Sequence, residues 1–544
     1  MTAGTERWWE GASLYQVYVR SWQDTDGDGY GDLAGVVRRL GHLQWLGVDG
    51  LWLTPTMPSP DQDWGYDVSD YTSVHPELGS LEDLDRLVGE AGRLGLKVLL
   101  DLVPNHTSDA HPWFVESRSA GRDSPMRDWY VWADPRPDGS PPNNWLDATG
   151  ASAWTLDQAS GQYYLHNFLP GQPDLNWWNP EVRNAFEDIL RFWFDRGVAG
   201  FRIDVAHALY HDRELRDNPS APEGPETRFG QARTYSMNRP EVHEVYRSWR
   251  KLVEGYDPVR LLLGETWVLD AERLAAFYGD DDELHLGFNF SLVFSDFTAA
   301  ALSRVVRDSI SALPPGACPA WAGSNHDISR FQTRWAGGDP DRARLGLAVL
   351  CTLPGTLVLY AGDELGLTDV EVPPDQQRDP MTWRAADNRF NRDRARTPMP
   401  WDEDEPNYGF CPDGVEPWLP LGDRRGRSVA AQLADPGSDL WFARHLLRLR
   451  RECVSGGGYQ QLASGPDQWV YRSGGLVVAA NFSGSASEVD LPAGAMSRSG
   501  RPAGTGAPEG AADDHRGGAV VLQPWEAIII QTAGSPDSPR SKEY

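Results

Sequence analysis

The sequence is poor in cysteine, in positive charge and in long apolar runs, and each shortage excludes a class of protein. Its 544 residues include four cysteines without CxxC spacing, which argues against a disulfide framework or a zinc site. Lys and Arg total 50 against 79 Asp and Glu, and such a surface repels nucleic acid and anionic lipid. No apolar run reaches the about 18 residues that span a bilayer. We therefore expect no nucleic-acid partner and no membrane association.

The amino terminus, MTAGTERWWE, has an early acid and no apolar core of the kind that signal peptides carry. We expect a soluble, cytoplasmic protein with reduced cysteines. Tryptophan, by contrast, is abundant at 24 copies. Most of these side chains belong in a core, but some are suited to line a pocket for a flat, partly apolar ligand such as a sugar. The pattern gives no indication of an oligomeric state.

Strand and helix patterns alternate along most of the chain, which predicts an α/β fold. The segment 33–46 has leucines and valines at helical spacing between two apolar strands. Parallel strands need such crossover helices, and eight of them close into a barrel. Eight strands are predicted, at 13–19, 50–55, 97–104, 198–205, 260–266, 285–292, 318–324 and 355–361. Residues 1–106 and 179–437 are thus predicted to form a (β/α)8 barrel.

Three further segments break this pattern. Residues 107–178 are rich in Pro, Trp, Asp and Gly and are too long for a structureless loop, so we predict an inserted subdomain after strand three. Residues 438–533 combine one helix with short alternating strands, which favours a carboxyl-terminal β-sandwich domain. Residues 534–544 have the composition of a disordered tail.

Charged residues stand at the carboxyl ends of several predicted strands, which is where barrels of this type carry their active sites. They are Asp101, His106, Arg202, Asp204, Glu265, His326 and Asp327. Within GFRIDVAH, Arg202 and Asp204 share one face of a strand. This pair is either a structural ion pair or an arginine that keeps a working carboxylate ionised.

Two chemistries use several carboxylates on one rim. A metal site is the first, because Asp, Glu and His ligate hard or borderline cations. Arg202 counts against it, because a guanidinium beside a ligand opposes a cation. Glycoside hydrolysis is the second: one carboxylate attacks the anomeric carbon and another, protonated, assists the leaving oxygen.

Seven motifs then identify a resemblance. GVDGLWLTP, DLVPNHTS, QPDLNW, GFRIDVAH, GETW, SNHD and GTLVLYAGDELG occur in the order typical of the α-amylase superfamily of glycoside hydrolases. The chain resembles the α-glucosidase and oligo-1,6-glucosidase branch over residues 10–405 and into the carboxyl-terminal domain. The resemblance implies a retaining, exo-acting α-glucosidase that releases glucose from the non-reducing end of short oligosaccharides through a covalent glucosyl-aspartate. It implies no organic cofactor.

The same resemblance assigns roles by position. Asp204 corresponds to the nucleophile, Glu265 to the general acid/base and Asp327 to the acid that grips sugar hydroxyls. Arg202 holds Asp204. The implied substrate-binding residues are Asp63 and Tyr66 of DWGYD, His106, His326, one or both of Arg392 and Arg396, and Val205 with His207. Valine directly after the nucleophile accompanies α-1,6 preference in this branch.

The loop DTDGDGYGD resembles a calcium site. Asp24, Asp26 and Asp28 alternate, Tyr30 offers a carbonyl and Asp32 completes the set. An EF-hand has Glu at position twelve, where Gly35 stands, so the alternative is a solvated acidic turn. Relatives bind calcium or magnesium here, which implies a structural ion.

The chain departs from the family pattern at Val19, Ala361 and Asp363 and in the VAHAL sequence after Asp204. These departures leave the implied catalytic roles intact, but the family pattern does not fix the linkage preference of this chain. A transglucosylase or a sucrose- or trehalose-type isomerase would use the same intermediate, and a non-catalytic relative would lack the acids that are present here.

Overall fold

The computed structural model describes residues 7–384, 391–454, 457–500 and 513–532. Eight parallel strands form one sheet. They are β1 (Ser13–Val17), β2 (Gly50–Leu53), β3 (Lys97–Leu102), β7 (Gly200–Ile203), β8 (Leu261–Gly264), β9 (Leu286–Gly287), β10 (Ala320–Ala322) and β11 (Thr356–Tyr360). Their spatial order is β10-β11-β1-β2-β3-β7-β8-β9. A parallel bridge from Phe288 to Ala320 joins the two ends and closes the barrel.

The barrel strands are buried on both faces because side chains alternate between the barrel interior and the surrounding helices. In β8, Leu261 and Leu263 belong to the inner cluster with Trp52 and Phe288. Leu262, between them, packs into the outer core. This explains why the strands are largely apolar in the sequence.

Several of the helices between the strands begin at a residue whose side chain caps the first turn. Asp32 caps α1 by accepting from the Gly35 N–H at 2.6 Å, and Ser80 forms a capping box with Asp83 at the start of α2. The helices are α1 (Leu33–Leu46), α2 (Leu81–Arg93), α3 (Pro112–Ser119), α4 (Pro180–Asp195), α5 (Val242–Val253), α6 (Ala271–Ala275), α7 (Phe290–Val293), α8 (Ala299–Ala312), α9 (Phe331–Arg334), α10 (Pro340–Thr352), α11 (Pro380–Arg384), α12 (Val429–Ala434) and α13 (Asp439–Leu449).

A small antiparallel sheet lies in the insertion after β3. Its strands β4 (Trp132–Ala133), β5 (Trp154–Asp157) and β6 (Gln162–Leu165) are ordered β4-β6-β5. The segment after β7, which the sequence did not distinguish, packs against this insertion. Gln231 donates to the Asn144 carbonyl at 2.8 Å and the Trp145 indole to the Arg216 carbonyl at 2.8 Å. The two segments therefore build one wall above the barrel.

The carboxyl-terminal region forms two antiparallel layers. One sheet has the order β12-β13-β14-β19-β16-β17, and a second pairs β15 with β18. Val477, Leu491, Leu522 and Ile530 pack between the layers. The strands are β12 (Tyr459–Ser464), β13 (Gln468–Ser473), β14 (Leu476–Asn481), β15 (Ser487–Leu491), β16 (Gly494–Arg498), β17 (Asp513–His515), β18 (Gly518–Leu522) and β19 (Ala527–Gln531).

Arg450, just beyond α13, ties this region to the barrel. Its buried guanidinium donates to the carbonyls of Cys351 at 3.1 Å and Leu353 at 2.6 Å, and also to Gly355. These carbonyls form the turn that leads into β11. A long-range bond of 2.6 Å between the hydroxyls of Thr352 and Tyr471 supports the same contact.

The predicted fold class, a (β/α)8 barrel with an insertion after strand three and a carboxyl-terminal β-domain, is confirmed. One strand is shorter than predicted: of 285–292, two residues pair as β9 and α7 begins at Phe290. The domain boundaries remain predictions, and the proposed tail at 534–544 lies outside the described residues. Among those residues, no helix combines the length and the apolar character that crossing a bilayer requires.

Candidate active site

Arg202 organises three carboxylates at the carboxyl ends of β3, β7 and β8. Its Nη1 lies 2.9 Å from Asp101 Oδ1 and 2.6 Å from Asp204 Oδ1. Its Nη2 lies 2.7 Å from Glu265 Oε2. Arg202 is fully buried, and the guanidinium also faces the Trp52 ring at 5.0 Å. We call these four charged residues the Arg202 cluster.

The Arg202 cluster has more acids than bases, and this sets its protonation. Burial raises the pKa of Asp101 to about 6 and that of Asp204 well above its ordinary value, while Arg202 acts against both shifts. One cation cannot neutralise three buried carboxylates, so Asp101 and Asp204 bind a proton more readily than isolated carboxylates do. Arg202 thus acts on Asp204 in the expected direction, toward the ionised form, while burial opposes it.

A second group of charges lies on the adjacent part of the rim. Arg396 Nη2 donates to Asp327 Oδ1 at 2.8 Å, and Arg392 Nη1 lies 3.3 Å from the same oxygen. Arg392 also contacts Asp63 Oδ1 at 2.6 Å and Asp379 Oδ1 at 2.7 Å. We call these five residues the Arg392–Arg396 cluster. Arg392 is thus the arginine that accompanies Asp63, and Arg396 is the partner of Asp327.

Counter-charges dominate in this second cluster. Burial acts to raise the pKa of Asp327, but His326, Arg392 and Arg396 outweigh it and hold that pKa well below its ordinary range. Burial also keeps the pKa of His326 far below its usual value, so this histidine is neutral near pH 7 and the arginines carry the effect there. Asp379 has a lowered pKa because Arg392 overcomes burial, whereas burial prevails at Asp63 and raises its pKa.

Tyr66 and His326 connect the two clusters. The Tyr66 hydroxyl donates to Asp101 Oδ2 at 3.0 Å and lies 2.5 Å from His326 Nε2. The two rings stack at 5.3 Å, and Gln16 Nε2 lies 2.7 Å from His326 Nδ1. This chain fixes the orientation of an aromatic face and an imidazole beside the carboxylates.

His106 lies on the insertion side of the same site. Its Nε2 is 2.9 Å from the Tyr66 carbonyl and 3.2 Å from Gln172 Nε2. Burial lowers its pKa to about 4, so it is a neutral hydrogen-bonding group. Gln172 donates to Asp63 Oδ2 at 3.3 Å, and the Phe168 ring lies 5.1 Å from the imidazole.

Val205 and His207 follow Asp204 directly. The Val205 N–H donates to Glu265 Oε2 at 3.1 Å, and the Val205 side chain packs with Phe168, Ala208 and Met237. His207 Nδ1 accepts from the Trp267 N–H at 3.2 Å. Burial lowers the pKa of His207 to about 3, so the ring is neutral near pH 7. Its bond with the Trp267 N–H supports the loop after β8.

Among the described residues, the acidic loop 24–32 forms no hydrogen bond or ion pair with either cluster. Carboxylate oxygens of Asp24, Asp26 and Asp28 lie within 4.8 Å of one another, an arrangement that suits the oxygen donors calcium prefers. Burial raises the pKa of Asp24 and Asp28. Asp32 is not in this group, because its oxygens cap α1 and bind Thr25. The Tyr30 N–H donates to Asp28 Oδ1 at 2.8 Å.

Three further site residues lay outside the sequence-based assignment. Asp379 is in the irregular segment after β11, where no period or motif marks it. Gln172 belongs to QPDLN, which served only as a family signature. Gln16 occupies a barrel strand and carried no signal beyond its polarity within an apolar run.

A (β/α)8 barrel with paired acids and arginines on its carboxyl-terminal rim suits the two-carboxylate chemistry of a glycoside hydrolase. Residues 16–456 match the family model of the alpha-amylase catalytic domain, and the chain belongs to the α-amylase family. The family prediction made from the motifs is confirmed.

Relatives cover most of the chain. A probable alpha-glucosidase of Rhizobium meliloti (strain 1021) is 44% identical over 491 residues, 86% of either chain. An oligo-1,6-glucosidase of Heyndrickxia coagulans is 36% identical over 530 residues, which cover 89% of this chain and 94% of the relative.

Two solved structures are also similar. The alpha-glucosyl transfer enzyme XgtA superposes with a TM-score of 0.86 at 40% identity, covering 96% of this chain and 99% of its own. The trehalulose synthase MutB of Pseudomonas mesoacidophila MX-45 gives 0.84 at 32% identity, covering 97% and 99%.

Proposed function

We propose that this glycoside hydrolase is a retaining, exo-acting α-glucosidase of short α-glucosides. In the first step Asp204 attacks the anomeric carbon, the glycosidic bond breaks and Glu265 transfers a proton to the departing oxygen. In the second step water attacks the glucosyl-aspartate, gives its proton to Glu265 and releases glucose with the α configuration.

The observation that carries this proposal is the shared guanidinium. Asp204 and Glu265 lie 2.6 Å and 2.7 Å from the two terminal nitrogens of Arg202. Two carboxylates held at the ends of one guanidinium leave little room for the water that separates an inverting pair. A retaining pair also works with one proton between nucleophile and acid, and burial within the Arg202 cluster favours proton binding by raising the pKa of Asp101 and Asp204.

The exo action is supported by the charges that close the site. Arg392 pairs with Asp63 and Asp379, and Gln172 reaches Asp63 from the insertion. These groups present both donors and acceptors, as a terminal glucose with several free hydroxyls requires. A groove that continued past this point would have to break the ion pair between Asp63 and Arg392.

Two measurements test the proposal. Proton NMR during cleavage of maltose and isomaltose should show α-glucose as the first product, and a glucosyl adduct should be trapped on Asp204 with a fluorinated α-glucoside. Release of β-glucose would refute retention, and release of oligosaccharides from the interior of a longer α-glucan would refute exo action.

Transfer to a sugar is the second candidate, because the similar solved structures are those of a glucosyl transfer enzyme and a trehalulose synthase. The same glucosyl-aspartate would react with a sugar hydroxyl in place of water. Product analysis with sucrose, maltose and added glucose at high concentration separates the two: new disaccharides in excess of free glucose would identify a transglucosylase or an isomerase.

We further propose that calcium or magnesium binds Asp24, Asp26 and Asp28 and stabilises the loop without entering the chemistry. The support is the convergence of their carboxylate oxygens within 4.8 Å. Asp32 is better assigned to the cap of α1. Isothermal titration with calcium tests this; absence of binding, or unchanged binding in Asp26→Asn, would refute it.

A further inference from the structure

The main chain at Val205 adopts a conformation that valine rarely takes. Its φ is 44°, in the left-handed region, where a β-branched side chain is a steric outlier. Residues held in this way persist only where the surroundings enforce them, and they concentrate at functional sites. The contacts around Val205 indicate what the conformation achieves.

The first consequence is a bulge between β7 and β8. The Glu265 N–H donates to the Ile203 carbonyl at 2.8 Å, as a parallel ladder requires. The next rung would take the Val205 N–H to the Glu265 carbonyl. Instead the Ala206 N–H occupies that carbonyl at 2.8 Å, so one extra residue is inserted. The Val205 N–H is thereby released from the ladder.

The released N–H binds the Glu265 carboxylate. It donates to Oε2 at 3.1 Å, and Arg202 Nη2 lies 2.7 Å from the same oxygen. Among the described residues, none forms a hydrogen bond with Oε1. An oxygen that accepts a main-chain N–H and lies beside a guanidinium is a poor carrier of the acid proton, so the proton of Glu265 belongs on Oε1.

We propose that the bulge at Val205 is a positioning device for proton transfer: its main-chain N–H pins Glu265 Oε2 and so leaves Oε1 to protonate the leaving oxygen. This inference rests on the proposed role of Glu265. Val205 acts through the carboxylate and is a positioning residue. The Val205 carbonyl is tied to the Ala208 N–H at 2.9 Å, and the Tyr246 hydroxyl donates to the Ala206 carbonyl, so the bulge is held from both sides.

The direct test replaces residue 205 with α-hydroxyvaline, which turns the N–H into an ester oxygen and keeps the side chain. Two substrates are compared: maltose, whose leaving oxygen needs a proton, and α-glucosyl fluoride, whose leaving group does not. The value of kcat/KM reports the steps up to glucosyl transfer to Asp204. The second step, in which Glu265 takes a proton from water, therefore does not affect it. We expect kcat/KM to fall at least about tenfold on maltose and less than about threefold on the fluoride.

A matched ester at Ala206 is the control, because it removes an N–H from the carbonyl of Glu265 and not from its carboxylate. This control should lower kcat/KM equally for both substrates. An equal loss on both substrates with the residue 205 ester, or no loss, would overturn the proposal. Glu265→Gln serves as a reference. If this variant does not lose more kcat/KM on maltose than on the fluoride, the acid assignment itself is wrong. If it does and the residue 205 ester does not, the positioning role alone is wrong.

A second measurement tests the backbone itself without requiring activity. At a left-handed φ glycine is more favourable than alanine, the reverse of their order in a strand. Val205→Gly should therefore melt at a higher temperature than Val205→Ala. At Val358, a buried valine inside β11, alanine should give the higher melting temperature. The same order at both positions would show that residue 205 is not held in the left-handed region and would overturn the proposal.

Discussion

The two charge clusters on the rim use the same residue types to opposite effect. The Arg202 cluster sets three carboxylates against one guanidinium, and burial raises the pKa of Asp101 and Asp204. The Arg392–Arg396 cluster sets three carboxylates against two, and the pKa of Asp327 is lowered. The second arginine thus lowers the pKa of Asp327 and Asp379, whereas Asp63 in the same cluster keeps a raised pKa because burial prevails there.

The difference divides the work of the site. Proton transfer needs a group whose charge changes during the reaction, which is the role proposed for Glu265 in the Arg202 cluster. Binding sugar hydroxyls needs acceptors whose charge stays constant, which is the role expected of Asp327. The following experiments test this division, beginning with the largest expected effect.

Removing the carboxylate of Asp204 or of Glu265 from the Arg202 cluster should nearly abolish turnover. Asp204→Asn and Glu265→Gln should each lower kcat on maltose by about three orders of magnitude or more, since each deletes a reacting group. Melting temperatures should stay close to that of the wild type. Steady-state kinetics would contradict the assignment if either variant kept more than about a tenth of kcat/KM, a loss of only about 1.4 kcal/mol.

Breaking the Arg392–Arg396 cluster should weaken binding more than chemistry. Asp63→Asn removes the 2.6 Å pair with Arg392, and we expect kcat/KM on maltose to fall about a hundredfold, mostly through KM, as loss of a buried charge partner implies. Asp423→Asn is the control, because Asp423 pairs with Arg425 on the exposed surface. If kcat alone falls in Asp63→Asn, the proposed division is wrong.

Val205 tests how far the shape beside the Arg202 cluster sets linkage preference. A branched apolar side chain restricts the space for an α-1,4-linked partner, while the α-1,6 linkage has an extra rotatable bond. We expect isomaltose to be cleaved at least as well as maltose, and Val205→Thr to shift the kcat/KM ratio toward maltose by about 1–2 kcal/mol. A strong wild-type preference for maltose, unmoved by the substitution, would disprove this.

The loop at Asp24, Asp26 and Asp28 extends the comparison to acids that no arginine contacts among the described residues. Chelation should lower the melting temperature by a few degrees, since a cation that binds only the folded state adds about 1–3 kcal/mol. Initial rates of the folded enzyme should change little. Loss of rate before loss of structure would place the ion in the chemistry.

Buried histidines give the smallest expected effect, on the pH dependence of stability. Burial lowers the pKa of His445, which is remote from both clusters, to about 4. Between pH 6.5 and 4 the unfolded chain binds a proton here that the folded chain does not, so this group reduces stability as pH falls. His445→Gln should flatten the stability curve in that range by less than about 1.4 kcal/mol per pH unit, measured by urea unfolding. A steeper curve would contradict the sign.

The proposed catalytic acids could be placed on the rim from the sequence because each follows a barrel strand, and a strand end fixes which rim a side chain reaches. Asp204 and Glu265 are such cases. Asp379 could not be placed, because irregular backbone has no period that relates sequence spacing to position in space. For the same reason the choice between Arg392 and Arg396 required coordinates. The bulge at Val205 was hidden because an apolar residue after a strand gives no sign of positive φ.

The contacts of Arg450 imply an order of events during synthesis of the chain. The turn that leads into β11, the strand that joins β10 to β1, is held by a guanidinium 99 residues further along the chain than Cys351. All eight barrel strands are therefore synthesised well before Arg450, whose guanidinium holds the turn that leads into the last of them. The hydrogen bonds between Arg450 and this turn can form only after α13 has been synthesised. In a nascent chain that stops at residue 437, the turn before β11 therefore lacks them.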